Sequence, residues 1–198
     1  MDDVATISTF THITLDGVIQ APGHPDEDRR GGFELGGWEP PYADGVLGRF
    51  AAAGMAREGA LLFGRHTYEH FATVWPNAPQ PNPFTDVLNR TRKFVASRTL
   101  REPLPWENST LLAGEATETV AELKASFDGD VTILGSGQLV RSLLGAGLID
   151  ELVLLIHPLV LGDGRRLFHE GGQLLRFTLA DEIVTTTGVI IATYRPAS

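Results

Sequence analysis

Val131-Thr132-Ile133-Leu134-Gly135-Ser136-Gly137-Gln138-Leu139 is the stretch from which the rest of the chain can be read. Four residues of strand character run into a Gly-Ser-Gly loop, and Leu139, Val140, Leu143 and Leu144 then follow with helical spacing. Ser136 can cap that helix and Gly147 can end it. A strand that feeds a helix through small residues leaves backbone N–H groups at the positive end of a helix dipole, where a phosphate or pyrophosphate is stabilised. The same loop also serves as a tight strand–helix packing turn. It is not the dinucleotide fingerprint of a Rossmann fold: Val140 stands where the third glycine of G-x-G-x-x-G belongs, and the loop comes late in the chain.

Outward from this stretch the chain alternates strands and helices. Residues 4–13 (VATISTFTHI) form a β-branched first strand, followed by an Asp16-Gly17 turn of the kind that tolerates positive φ. Residues 21–41 carry four prolines and five glycines and read as a long irregular loop whose Trp38 covers something. A helix is predicted over 42–58, a short strand over 59–63, and a helix from a Thr67 cap to Trp75, stopped by Pro76. After a loop at 77–83 come a helical turn over 85–90, strands at 93–98 and 110–112, and a helix over 116–127. Beyond the opening strand and its helix, residues 150–156 are a continuous apolar strand of the kind buried on both faces. Residues 174–186 and 189–194 read as an antiparallel pair joined near Thr187-Gly188. The pattern predicts one α/β domain over 1–198 with a mostly parallel twisted sheet, flanking helices and an antiparallel C-terminal strand pair.

Composition narrows the function. With a net charge of −9 and no basic stripe, the 198-residue chain is not built to neutralise nucleic-acid phosphates. It has no cysteine, which removes thiolate metal sites, disulfides and thiol nucleophiles. Met1-Asp2-Asp3 opens no signal-peptide core, and no apolar run approaches the roughly 20 residues of a membrane span. A soluble, cytoplasmic protein without membrane contact is expected.

Three strand ends carry groups that could hold an anion: Gly64-Arg65-His66-Thr67, Ser97-Arg98, and the opening Gly135-Ser136-Gly137 loop. In parallel sheets ligands gather beyond the carboxyl ends of the strands, and guanidinium groups present paired donors to phosphate. Together the three ends would fit a dinucleotide with an additional phosphate. His66-x-x-Glu69-His70 also matches an inverted zinc-peptidase pattern, but its helix is short and no third ligand is marked downstream, so no metal is expected.

In order and spacing, Leu15-Asp16-Gly17-Val18-Ile19, Leu62-Phe63-Gly64-Arg65-His66-Thr67-Tyr68-Glu69, Phe94-Val95-Ala96-Ser97-Arg98, Ile133-Leu134-Gly135-Ser136-Gly137 and Gly147-Leu148-Ile149-Asp150-Glu151-Leu152 resemble the dihydrofolate-reductase-like superfamily. Within it they are most similar to the C-terminal reductase domain of bacterial riboflavin-biosynthesis deaminase–reductases and its stand-alone relatives. The resemblance implies a dihydrofolate-reductase-like fold and an NADPH-dependent reductase acting on a small oxidised heterocycle or carbonyl. Gly64, Arg65, His66 and Thr67 would contact the cofactor phosphates, and Ser97 and Arg98 the adenosine 2′-phosphate side. Gly135, Ser136, Gly137, Gln138 and Leu139 would hold the pyrophosphate and approach the nicotinamide, with a mobile loop from Asp16 to about Gly23 covering it. Asp16 is the leading candidate for a substrate-facing acid, with Glu39 and Asp44 behind it; the alternative for Asp16 is a turn residue. Leu134 replaces a substrate-contacting glutamate of the riboflavin-pathway pattern, which speaks against that substrate. A homodimer is expected from the family and from the long apolar C-terminal strands. A nucleotide-binding module without catalysis is the alternative from another class.

Overall fold

The computed structural model describes residues 4–55, 59–78 and 83–197. Its eight strands are β1 (Thr6–Thr14), β2 (Gly59–Gly64), β3 (Arg92–Ser97), β4 (Ser109–Ala113), β5 (Asp130–Leu134), β6 (Leu152–His157), β7 (Phe177–Val184) and β8 (Ile190–Pro196). The helices are α1 (Gly45–Met55), α2 (Arg65–Val74), α3 (Pro83–Arg90), α4 (Ala116–Ser126) and α5 (Gly137–Gly145). Parallel pairing joins β1 to β6, β2 to both β3 and β5, and β3 to β4; β8 runs antiparallel to β6 and β7. The predicted α/β class, largely parallel with an antiparallel C-terminal pair, is therefore what forms.

The chain divides into two compact units. The first comprises residues up to Ser8 and Arg57–Ile149, and its strand order is β4-β3-β2-β5 followed by the start of β1. Its core gathers Phe63, Tyr68, Leu88, Val95 and Trp106, with Leu134 packed against them. Burying such side chains contributes about 2 kcal/mol apiece. Tyr68 is locked there twice, because its hydroxyl also accepts the Trp106 backbone N–H at 3.1 Å. The second unit comprises Thr9–Ala56 and Asp150–Ser198, with the remainder of β1 followed by β6, β8 and β7. Five of the six residues of β6 are buried, as its unbroken apolar sequence demands. Leu47 of α1 closes a cluster with Val153, Leu155, Val189 and Ile191.

Helix starts are where the sequence misleads. The second helix begins at Arg65 with Gly64 as its flanking residue, two residues before the Thr67 cap that its sequence suggested. Thr67 turns its hydroxyl elsewhere, as described below. Asp44 is the residue that caps α1: its Oδ1 accepts the N–H groups of Val46 at 2.9 Å and Leu47 at 2.8 Å. At the other end of α5, Gly147 does terminate the helix, at φ +67° with its N–H donated to Leu144 O.

Candidate functional site

In the first unit, β2 and β5 lie side by side and parallel, so the helices α2 and α5 start from adjacent strand ends. Neither helix has a side-chain cap at its N-terminus. Ser136 occupies the capping position of α5 in the left-handed conformation (φ +56°), yet its hydroxyl does not bond the helix. It accepts the Gly64 N–H at 2.8 Å, while the Ser136 N–H is donated to Thr67 Oγ1 at 3.1 Å. The expected cap is thus replaced by a reciprocal lacing of the two strand–helix loops. Gly135 sits at φ +60°, and a Cβ there would lie 3.3 Å from Thr67 Cγ2. The lacing leaves two uncapped helix N-termini held together, which is an arrangement suited to a diphosphate.

The other residues singled out in this unit fall into distinct roles. Arg65, His66 and Glu69 form an exposed group: Arg65 Nη1 and His66 Nδ1 stand 3.9 and 3.8 Å from the Glu69 carboxylate, and Arg65 Nη2 lies 3.3 Å from His66 Nε2. Gln138 and Leu139 lie in the first turn of α5, Leu139 buried and so a packing residue. Ser97 Oγ accepts the N–H groups of Thr99 and Leu100, both at 3.1 Å, and thereby shapes the turn that follows β3. Arg98 reaches Glu115 Oε1 at 2.7 Å, with both side chains more than half exposed. An exposed pair of this kind is worth about 0–1 kcal/mol, so a phosphate could replace Glu115 at small cost. His66 and His70 are four residues apart on α2, but among the described residues no group of three or more His, Asp or Glu is placed to hold a metal ion.

The acidic candidates all belong to the second unit. Asp16 sits in the predicted turn, with Gly17 at φ +84°. Its Oδ1 accepts the Thr14 hydroxyl at 2.6 Å and the Leu161 N–H at 3.2 Å; its Oδ2 accepts the Gly162 N–H at 2.9 Å and faces Arg166 Nη2 at 3.4 Å. These donors, the Thr14 hydroxyl foremost, pull the carboxyl down to about 2. A carboxylate so engaged accepts hydrogen bonds and has no proton to give near neutral pH. Asp44 is likewise drawn down to about 2, chiefly by the Leu47 N–H and the Thr186 hydroxyl. Glu39 differs: burial, and then the nearby charge of Glu27, push its carboxyl upward. We expect Asp16→Asn to cost about 1–2 kcal/mol in urea unfolding, because it removes a charged acceptor from two backbone N–H groups.

One arrangement in this unit was not visible in the sequence. His12 of β1 and His157 of β6 are joined by a hydrogen bond of 2.9 Å between His12 Nδ1 and His157 Nε2. Trp38 and Tyr42 stand edge-on to the His157 ring, with centroids 5.2 and 5.4 Å away. His157 is fully buried and its Nδ1 has no hydrogen-bond partner. Trp38 is fixed in place by its indole N–H, which donates to Gln20 O at 2.9 Å.

With this geometry in hand, comparison with known proteins gives the chain relatives. Residues 5–191 match the family model described as the RibD C-terminal domain. The uncharacterized protein YyaP of Bacillus subtilis (strain 168) is 27% identical over 138 residues, spanning 68% of this chain and 72% of its own. A putative riboflavin biosynthesis protein from Shewanella sp. PV-4 superposes with a TM-score of 0.69 at 24% identity, covering 98% of this chain and 99% of that one. The dihydrofolate reductase of Enterococcus faecalis, in complex with NADP(H), superposes with a TM-score of 0.61 at 16% identity, over 98% of this chain and 97% of that one. These likenesses establish the dihydrofolate-reductase-like fold, and the match over nearly the full length settles the family: the chain belongs to the RibD C-terminal domain family.

Proposed function

We propose that the protein is an NADPH-dependent reductase that delivers a hydride to a small oxidised heterocycle or carbonyl, the whole chain working as one reductase domain. The observation that carries this reading is the lacing of Gly64, Thr67 and Ser136, which holds two uncapped helix N-termini together at neighbouring strand ends. A structural relative's NADP(H) complex supports the choice of cofactor. When bound, the cofactor supplies the hydride; the chain's own residues bind and orient it.

In this reading Gly135, Gly137, Gln138 and Leu139 offer backbone donors to the pyrophosphate, with Ser136 and Thr67 setting the loop. Gly64, Arg65 and His66 supply the second strand end. Arg98 takes the 2′-phosphate by exchanging its exposed partner Glu115, on the turn that Ser97 shapes. Hydride addition to a C=N or C=O leaves negative charge that must be neutralised by a proton. Asp16, the leading acid from sequence, is better suited to pinning the turn after β1 to the 161–166 segment, since both of its oxygens are occupied. Glu39 is the acidic candidate whose carboxyl is pushed upward, by burial and then by the charge of Glu27, and we assign it the proton-donor role.

Titration of the protein with NADPH and NADH tests the reading. NADPH should bind more tightly, and Arg98→Ala should weaken NADPH about tenfold while leaving NADH nearly unchanged, as expected for one lost charge-assisted contact. Arg65→Ala should weaken both. If neither NADPH nor NADH binds, the proposal is overturned. Glu39→Gln should lower turnover at least about tenfold, within the usual contribution of a general acid, with cofactor affinity intact. Cofactor binding without turnover on any heterocycle or carbonyl would instead favour a binding module, a reading that the engaged carboxylate of Asp16 supports. We further assign a cytoplasmic setting; no helix of the described residues is long and apolar enough to cross a membrane. A homodimer would cover the exposed Leu179 and Val184 of edge strand β7, and Val184→Lys should then shift the light-scattering mass toward the monomer.

A further inference from the structure

Arg98, the cation given to the 2′-phosphate in the reading above, is already paired. Its Nη1 donates to Glu115 Oε1 at 2.7 Å. The sheet sets up this contact. Ser97 and Ala113 lie opposite one another at the ends of the parallel strands β3 and β4, and the Gly114 N–H reaches back to Ser97 O at 3.4 Å. Arg98 and Glu115 follow directly on these ends, so register brings the two side chains together from 17 residues apart.

The Glu115 carboxylate has no second role. It stands at the capping position of α4, where a side-chain oxygen ordinarily serves the N–H groups of the first turn. Here the side chain makes no such bond. The helix is joined by the main-chain carbonyl of Glu115 instead, which accepts the N–H groups of Glu118 at 3.2 Å and Thr119 at 3.0 Å. Among the described residues Arg98 is the one partner of the carboxylate. Arg101, three residues on, directs its Nη1 to the Leu100 carbonyl at 2.9 Å. The Arg98 side chain is 71% exposed and that of Glu115 57%, so the pair can part into solvent without disturbing the core. Carboxylate and phosphate use the same guanidinium donors, so one anion on Arg98 stands in the way of the other.

We propose that Glu115 is an internal competitor for the 2′-phosphate and thereby a specificity-determining residue, holding the Arg98 guanidinium until a phosphate displaces it and so setting how strongly the protein prefers NADPH to NADH. This rests on the reductase reading and deepens it. NADH, without a 2′-phosphate, leaves the pair in place and owes nothing to it. NADPH exchanges one anion for another on Arg98, and its advantage is the difference between phosphate and carboxylate rather than the whole of a phosphate contact. The displaced carboxylate stays tethered two residues past β4, ready to retake Arg98 at high effective concentration when the phosphate leaves. Arg98 thus creates the preference for NADPH, and Glu115 tempers it.

Calorimetric titration with NADPH, NADH and 2′,5′-ADP tests this on the wild-type protein and two variants. Glu115→Gln, of the same shape without the charge, should bind NADPH and 2′,5′-ADP about fivefold more tightly, the upper end of what an exposed ion pair is worth. Its affinity for NADH should change by less than about twofold. Glu115→Ala should behave alike. In an Arg98→Ala background the gain from Glu115→Gln should vanish, because nothing is left to compete for. Unchanged affinity for NADPH and 2′,5′-ADP in both Glu115 variants would overturn the proposal. An equal gain in the Arg98→Ala background would overturn it too, since Glu115 would then act by general repulsion and not by occupying Arg98. The same titrations separate the two readings. NADPH binding that ignores Glu115 keeps the reductase and removes the competitor. Binding of 2′,5′-ADP that tightens in Glu115→Gln, in a protein that binds neither dinucleotide, keeps the competitor and removes the reductase. No binding of any of the three, in wild type or Glu115→Gln, removes both.

Discussion

Replacing Lys93 with alanine is expected to remove about 4 kcal/mol of folding stability, measured by urea unfolding at pH 7, the sum of a buried truncation and unsatisfied acceptors. Lys93 lies in β3 with 0% exposure, an uncommon place for an ammonium group. Its Nζ donates to the carbonyls of Thr91 at 2.7 Å, Glu107 at 3.0 Å and Asn89 at 3.1 Å, and sits 4.5 Å over the Trp106 ring. The Asn89 carbonyl belongs to the last turn of α3, where the helix dipole favours a cation. Trp106 is itself held to Asn89, its indole N–H donating to Oδ1 at 2.7 Å. One side chain thus ties the end of a helix, a strand and a connecting loop through three part-buried hydrogen bonds. Burial lowers its pKa to about 8, opposed by the charge of Glu107, so the group is still charged at pH 7. Lys93→Met keeps most of the volume and loses only the donor, and about half of the alanine penalty is expected. Equal penalties for the two variants would show that the lost donor alone matters and the packing of the stem does not. A penalty below about 1 kcal/mol for alanine would show that water satisfies the three carbonyls.

Lys93 also marks the limit of what the sequence discloses. Its place in a strand was legible from the run Lys93-Phe94-Val95-Ala96, and so were the parallel units, because apolar strands alternate with helical periods up to Ile156. Of the carbonyls that receive its ammonium group, those of Thr91 and Asn89 lie just upstream and that of Glu107 comes from the loop before β4, and no sequence pattern announces that the side chain folds back onto them. The same distinction divides the candidate site. Gly135 and Gly64 were legible because strand–glycine–helix junctions carry their geometry in consecutive residues. Ser136 was read as a cap for its own helix, a local partnership, whereas its hydroxyl serves Gly64, 72 residues away. Asp16 shows the opposite case. Its Asp-Gly turn was visible, but the N–H groups of Leu161 and Gly162 that hold its carboxylate lie about 145 residues on, and they change its chemistry. His12 sat inside a β-branched strand and His157 at the end of an apolar one; only register brings them together. Thr14 pairs with His157 across β1 and β6, which sets the two imidazoles within reach on the same side. A period-two reading of both strands could have placed each histidine on a face, but not in the same layer.

Acid should unfold the protein through that histidine pair well before its carboxylates titrate. An unfolded histidine takes up its proton near pH 6.5, whereas His157 in the folded protein is held neutral down to about 4 by burial. Between those values the unfolded state binds a proton that the folded state refuses, so stability is complete above about pH 6.5 and falls as pH drops. The slope for one such group is up to about 1.4 kcal/mol per pH unit, and over this window the loss amounts to about 3 kcal/mol. His12, pulled to about 3 by burial and then by the neighbouring His157 charge, titrates in the same direction. The two losses do not simply add, because the first proton on the pair discourages the second. The carboxylates act in another window. Asp16 and Asp44, both drawn to about 2, lose their contribution only below their ordinary value of 3.8. Glu39, pushed upward, works in the opposite sense, gaining stability as it protonates. Urea midpoints at pH 7.5, 6.5, 5.5 and 4.5, taken in a Glu39→Gln background so that its opposite titration drops out, therefore isolate the histidines. His157→Phe, which fills the same space beside Trp38 and Tyr42 without a titrating nitrogen, should flatten the decline to that of His12 alone. A wild-type protein equally stable at pH 7.5 and 4.5 would mean that the pair is hydrated enough to accept a proton when folded. That result would contradict the neutral, part-buried contact between His12 and His157 on which this prediction depends.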